Sequence, residues 1–509
     1  MKKLAVGFIL FFYIPISFAQ QIIYSNTESA DRSGTSFFNI IGKVNQNILI
    51  FKNHSRDAAV SVYDDSTMQL KERVELSFLP KNKMVGIYFL PYSDFSWMIY
   101  MYDEKNEVYC MAVKMDENAK MIGTPQLLDR TKIKVEDNPG IYSVIRSEDK
   151  SKILILKVQK KDYDPHVYLM TLLYNDNLSL LHQTKSDDYY NFREEQYSNF
   201  SLANNGDFAF TKEKRPDFQT YDGGYMSRCS LYINHPASDT FSIHPLNLSG
   251  KLLQDVVLKV DNLNDHFVMN SFYSSGSSVE GLYTCVFDLK EMKWASANFT
   301  SLGQGILALA KSDNEKMDES LNNFYIQNVI LKRDGGFIVA AEKIKRNYKN
   351  LSAGNMPNRS PSWMLFDIYK RNLDFLENMN NVYVNDTYQN SIYTNILILD
   401  ADNKGNLNWG NVIQKSQYPM AEGQNYFSYL MMLRQGLIDF IFNRPYQQKW
   451  ILNSESVTAD GNLIANKLLW GLRKKYIFLP ASGKQVSADE IIIPCLYKQH
   501  YCFTKITLQ

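Results

Sequence analysis

Apolar residues in this chain come in short runs separated by polar turns, and one run–loop–run unit returns eight times. The leading runs are 47–51 (NILIF), 97–101 (WMIYM), 152–158 (KILILKV), 207–213 (DFAFTKE), 266–272 (HFVMNSF), 336–342 (GFIVAAE), 436–442 (GLIDFIF) and 490–496 (EIIIPCL). Each is followed across a loop by a partner run, at 59–64, 108–115, 166–174, 227–233, 282–289, 395–401, 449–457 and 501–508. Many partner runs alternate apolar and polar positions and are rich in β-branched and aromatic residues, as half-buried strands require. Asp64-Asp65-Ser66, Asp116-Glu117-Asn118, Asn175-Asp176-Asn177 and Asp460-Gly461 supply turn signals. Helical periodicity is hard to find anywhere. Most unit starts lie about 50–60 residues apart, the period of a four-stranded blade. The pattern predicts an all-β fold, a β-propeller of eight four-stranded blades, with seven or nine as the alternatives.

A blade needs an inner and an outer strand besides this central pair. Segments 84–90, 141–146, 255–260, 324–331 and 426–432 suit the inner place, and 121–128, 178–183 and 407–414 the outer one. The last unit ends one strand short at Gln509, whereas 21–25 (QIIYS) precedes the first unit without a partner. Pairing the two would close the ring and remove both exposed sheet edges, so closure by the N-terminal strand is the expected topology. One interval breaks the period: the units starting at 336 and 436 are nearly two spacings apart. We expect an insertion at about 345–391 rather than a ninth blade, within a single propeller domain spanning 20–509. A loop of that length inside a compact domain usually serves a purpose or is disordered.

Composition places the chain among ordinary globular proteins, with 45% hydrophobic and 21% charged residues in 509. A net charge of +1, without a Lys/Arg cluster, argues against a nucleic-acid partner. The N-terminus has the form of a secretory signal: Lys2 and Lys3, an apolar stretch over 4–18 interrupted by Pro15, and small residues at Ser17 and Ala19. Cleavage would leave a mature chain from Gln20 with no segment long and apolar enough to span a bilayer as a helix. The expected location is the periplasm or the outer membrane and cell surface.

Five cysteines are too few for a disulfide scaffold. Cys110, Cys229 and Cys285 recur at similar places in the partner runs, which suggests buried packing residues. Cys495 and Cys502 flank the turn 497–500, where a symmetric hairpin sets them opposite each other, either as a disulfide or as two buried thiols. Asp400-Ala401-Asp402-Asn403-Lys404-Gly405 begins like a calcium loop, yet Lys404 and Asn411 stand where further oxygen ligands belong, so a hairpin turn is expected. None of the seven histidines has ligand spacing, and His235 and His244 bracket a predicted turn as solvated residues. No nucleophile elbow or phosphate-binding glycine loop is present, and no metal or cofactor is expected. Asp-box, WD and kelch signatures are missing too.

Segments 324–342 (FYIQNVILKRDGGFIVAAE), 393–417 (YTNILILDADNKGNLNWGNVIQKSQ) and 426–443 (YFSYLMMLRQGLIDFIFN) resemble a family of exported β-propeller proteins of Bacteroidetes-type bacteria. The shared features are a DGGF strand, a D-x-x-G-x-x-x-W hairpin followed by I-x-K-x-Q, and a Y-F-x-x-F-N run; 449–509 fits more loosely. The resemblance implies the fold and a cell-envelope setting, and transfers no catalytic residue. In an antiparallel blade, the loop between second and third strands shares a face with the linkers between blades. That puts the insertion beside linker 303–323 and near loop 214–224. Trp363, Phe366, Tyr369, Tyr383 and Tyr388 would be aromatic anchors on this face and Arg371 a polar fork; the run 363–369 (WMLFDIY) has packing back onto the propeller as its alternative role. The expected function is non-enzymatic binding of an envelope protein, or second an envelope glycan. The alternatives are a glycosidase or lyase with two carboxylates at the central channel, and a passive subunit of an outer-membrane assembly.

Overall fold

The computed structural model describes residues 21–508 apart from 30–36, 55–56, 81–83, 133–140, 161–165, 192–193, 217–224, 277, 313–314, 346–391, 419–426, 447–448, 471–475 and 498–499. Eight antiparallel sheets follow one another along the chain and form a β-propeller. Blades 1 to 7 cover 37–75, 84–132, 142–189, 195–245, 252–301, 324–413 and 429–470, and blade 8 joins 476–507 to 21–24. Every leading run of the sequence pattern is the second strand of a blade, and every partner run is the third.

The hydrophobic pattern follows from the layering. Second strands are covered on both faces by neighbouring blades, so Ser96–Glu104 and Phe337–Lys345 are buried almost without a break. Outer strands see solvent, and Leu70–Glu75 is exposed along nearly its whole length. The core therefore lies between blades rather than inside one sheet. Phe51 of blade 1 meets Phe89 of blade 2 with ring centroids 5.1 Å apart, and apolar clusters run unbroken across blades 2 to 4 and 5 to 6.

The turn from third to outer strand recurs with one chemistry. A carboxylate or amide oxygen there accepts backbone N–H groups two to four residues on: Asp64 from Ser66 and Thr67, Asp116 from Asn118 and Lys120, Asn175 from Asn177 and Ser179, Asp402 from Lys404 and Asn406. Such side chains mimic a backbone turn. The same turns hook the preceding blade. Asn47 donates to Glu117 O at 2.9 Å, Trp97 Nε1 to Asp176 O at 2.7 Å, and Trp409 Nε1 to Ala459 O at 3.1 Å. At the last of these Gly461 has φ +79°, and an added Cβ would lie 2.5 Å from the Trp409 indole, so only glycine fits.

The ring closes with the N-terminal strand. Gln21–Tyr24 pairs antiparallel with His500–Thr507, Gln21 opposite Thr507 and Tyr24 opposite Thr504. Cys495 and Cys502 face each other in the C-terminal hairpin and are joined by a disulfide, with Cα atoms 5.1 Å apart. Cys110, Cys229 and Cys285 are free and buried. The linker 302–323 departs from the all-β pattern. It carries a short helix, Gln304–Ala310, whose Ile306 and Leu307 pack against the blade 5–6 core and whose Leu309 O accepts Gln414 Nε2 at 2.7 Å. Seven residues are too few to show a helical period in the sequence.

Deleting residues 20–26 should strip the outer strand from blade 8, expose the edge of His500–Thr507, and lower the melting temperature by roughly 10 °C. A truncated chain that melts like the parent would refute closure by this strand.

Candidate functional site

The alternation of strands gives the ring two unlike faces. On one, the turns between inner and second strands are stitched from blade to blade. Asn45 N–H donates to Ser93 O at 2.7 Å, Tyr92 OH to Lys150 O at 3.0 Å, Asp149 N–H to Asn204 Oδ1 at 3.2 Å, and Asn204 N–H to Asn262 Oδ1 at 2.8 Å. The opposite face holds the linkers and the hairpins between second and third strands. Four of these hairpins close with two residues, those of blades 1, 2, 7 and 8. In blade 6, Lys345 is paired with Ile392, and residues 346–391 join these two neighbours. Trp363, Phe366, Tyr369, Arg371, Tyr383 and Tyr388 all fall in that segment and lie outside the described residues.

The root of the excursion is held by two buried ion pairs set back to back. Glu342 and Lys343 are consecutive in Phe337–Lys345, so their side chains leave opposite faces of the sheet. Glu342 meets Lys415 at 2.5 Å and accepts the Ser428 hydroxyl at 2.5 Å, both from the linker to blade 7. Lys343 meets Glu315 of the linker from blade 5 at 2.5 Å and donates to Ser320 O at 3.0 Å. Lys345 joins the same carboxylate at 2.8 Å, which ties the excursion's first foot to linker 302–323. The second foot is tied as well: Tyr393 and Gln417 exchange both backbone hydrogen bonds, at 3.0 and 2.8 Å. Burial holds the Lys343 and Lys415 ammoniums below the ordinary lysine range, and the attraction of Glu315 and Glu342 offsets it only in part. Burial also raises the Glu315 carboxyl, but Lys343 and Lys345 outweigh it and hold the group below the usual carboxylate range.

Aromatic rings gather on this face. Beside the second foot, Tyr393, Phe427 and Trp450 form a chain with centroids 5.9 and 5.8 Å apart, each ring half-buried. Tyr102 and Tyr109 stack at 5.0 Å at the blade 2 hairpin, and on blade 8 Tyr24 stacks on Tyr476 at 4.8 Å while Tyr497 lies tilted against Tyr476 at 4.9 Å. Half-buried tyrosine and tryptophan offer apolar area with a polar handle, the composition of recognition surfaces.

Three joints between blades share a cluster that the sequence pattern did not single out. Lys52, Lys157 and Lys212 stand at one register of the second strand, five residues after Asn47, Lys152 and Asp207. Each reaches a carboxylate at the outer edge of the preceding blade: Glu28 at 2.5 Å, Asp129 at 2.8 Å and Asp188 at 2.9 Å. A tyrosine hydroxyl, from Tyr63, Tyr142 or Tyr197, donates to the same carboxylate. The repeated lysine in an apolar run was the available signal.

The inner strands carry mostly apolar and amide side chains. Among their described residues the carboxylates are Glu195, Asp255 and Asp261, and each holds a structural group. Glu195 accepts Asn191 N–H at 2.8 Å and lies 3.5 Å from Lys212; Asp255 accepts Ile326 N–H at 2.5 Å; Asp261 accepts from Leu263 and Asn264 at 3.1 Å. Asp400–Gly405 covers the end of the third strand and the hairpin turn of blade 6, with Asp400 paired to Lys332 at 2.7 Å. No group of three His, Cys, Asp or Glu side chains is placed to hold a metal among the described residues. His235 sits exposed in its turn, but His244 departs from expectation. It lies within the outer strand Ser242–Pro245, half-buried with its ring 4.5 Å from that of Phe287, because the turn ends before it.

No family model and no curated relative matches the chain. Among solved structures it is similar to the WD40 domain of SCAP from fission yeast, at 8% identity over 96% of this chain and 98% of that one, TM-score 0.39. It is also similar to the polysaccharide lyase Uly1, at 10% identity over 83% of this chain and 90% of that one, TM-score 0.40. The Dos1 propeller follows at 7% identity over 84% and 92%, TM-score 0.32. Likenesses this distant say nothing about what this chain binds.

Two outcomes follow from the ionic contacts. Replacing Lys415 with Met should strand the Glu342 carboxylate and cost about 3–5 kcal/mol in urea unfolding, while adding Glu342→Leu should regain more than half of it. A neutral single variant would show that the pair is not buried. Glu28, Asp65 and Glu315 have folded carboxyl pKa values below their ordinary ones, for burial is outweighed by Lys52, by Lys43 with Lys505, and by Lys343. Their contribution is full above the unfolded carboxylate range and is lost as pH falls through the folded values. The melting temperature should drop between about pH 5 and pH 3, and Glu28→Gln should flatten the drop; an unchanged slope would exclude Glu28 as a source.

Proposed function

We propose that the protein is an exported propeller of the bacterial cell envelope, directed there by residues 1–19, that binds a partner without catalysis through the face carrying the blade 6 excursion. Membership of the Bacteroidetes-type exported family is part of this reading. One observation carries it: a ring that closes four of its other hairpins with two residues opens the blade 6 hairpin into the excursion 346–391 at Lys345 and Ile392, and clamps both feet with buried charge and aromatic rings. A loop kept on a rigid scaffold is where binding residues concentrate. The partner is an envelope protein first and an envelope glycan second, met by Trp363, Phe366, Tyr369, Arg371, Tyr383 and Tyr388 with the half-buried rings around Tyr393. The structural engagement of Glu195, Asp255 and Asp261 supports binding over glycan cleavage at the channel.

The test is a native pull-down from the envelope fraction with the full chain and with a variant in which a short Gly/Ser turn replaces 346–391. Loop shortening is thermodynamically mild, so the variant should stay folded while losing the partner. A folded variant that captures every partner of the full chain would move the search to the central channel.

A further inference from the structure

The edge at which the ring closes is shaped for one particular extended segment. Residues 21–29 run antiparallel to His500–Thr507, with Gln21–Tyr24 opposite Thr507–Thr504, and Glu28 and Ser29 opposite Tyr501 and His500. Between the two stretches, Ser25 N–H donates to Phe503 O at 2.8 Å and the Ser25 hydroxyl accepts Phe503 N–H at 3.0 Å. Main-chain bonding of this kind gives affinity for any strand, and side-chain pockets give selectivity.

Here the pockets are specific. Ile22 packs against the cluster of Met432, Ile441 and Ile493, and Ile23 against the separate cluster of Phe38, Ile40 and Ile492. Tyr24 stacks on Tyr476 with centroids 4.8 Å apart. Glu28 meets Lys52 and the Tyr63 hydroxyl of blade 1, each at 2.5 Å. The edge thus reads Ile-Ile-Tyr-Ser-x-x-Glu. None of these contacts requires the segment to come from the same molecule. In sequence the two halves are almost the whole chain apart, so the edge stays unfilled until the last blade has formed.

We propose that the outer edge of His500–Thr507 is a sequence-selective strand-binding site, filled in the monomer by the chain's own residues 21–29 and open to the same segment of a second copy. Chains that fold side by side then exchange closing strands. Exchange of an identical element is a low-cost route to dimers, because both states make the same contacts.

Full-length protein is unfolded and refolded with a fluorescent peptide of residues 21–29, with a scrambled peptide, and with peptides carrying Tyr24→Ala or Glu28→Ala. The native peptide should remain bound through gel filtration, and each alanine peptide should bind about tenfold more weakly or worse. Refolding at rising protein concentration should give dimers that the native peptide suppresses. Equal retention of native and scrambled peptides, or neither retention nor dimers from a refolded protein, overturns the proposal. Should the chain not refold, the native full-length Glu28→Ala variant is incubated with the native peptide and amide exchange is followed at Thr504–Thr507. Slower exchange than with the scrambled peptide supports the site, and identical exchange overturns it.

Discussion

A ring of sheets has one joint that chain order alone does not make, and here it is the pairing of Gln21–Tyr24 with His500–Thr507. Seven blades are completed by local hairpins, but the eighth draws its outer strand from the other end of the sequence. The joint between blades 8 and 1 carries a correspondingly dense set of charges. Toward one face Glu28 meets Lys52 and Tyr63; toward the other Lys43 and Lys505 share Asp65 and Glu490 at 2.5 to 3.2 Å. Unpaired strand edges invite association, and closure covers the outer edge of His500–Thr507.

Buried ion pairs are poor sources of stability, since desolvation opposes the attraction between the charges. Their recurrence at three joints suits a different task. The side-chain period of a strand is two, so a slip of one residue would turn Lys52, Lys157 or Lys212 to the wrong face and leave a charge without its partner. Apolar packing tolerates such slips far better, because Ile and Val at neighbouring positions are nearly interchangeable in shape. Glu342 and Lys343 use the same logic twice in succession, pinning blade 6 to the linkers on either side of it.

That pinning bears on the difference between the two faces. One face is a border of short turns, hydrogen-bonded from blade to blade across blades 1 to 5, in which Asn and Asp side chains replace backbone partners. The other gathers the linkers, the helix Gln304–Ala310, the stacked tyrosines and the feet of the excursion. A binding surface needs residues whose positions are fixed by something other than themselves, and the clamped feet supply that support.

The sequence by itself determined the all-β class, the eight repeated strand pairs and the use of the N-terminal strand for closure. Periodicity is local, and a second strand covered on both faces must be apolar throughout, so 47–51 or 490–496 announces its layer without reference to any neighbour. The facing of Cys495 and Cys502 was legible for the same reason, because hairpin register depends on the turn between them. The excursion was visible as a gap in the period, although the six residues assigned to its binding role lie outside the described residues. Tertiary structure alone decided which lysine meets which carboxylate, that Glu342 and Lys343 clamp opposite linkers, and that His244 lies against Phe287 rather than in a turn. Those pairings join residues on different blades, or a blade to a linker, where no spacing along the chain records which side chains will meet.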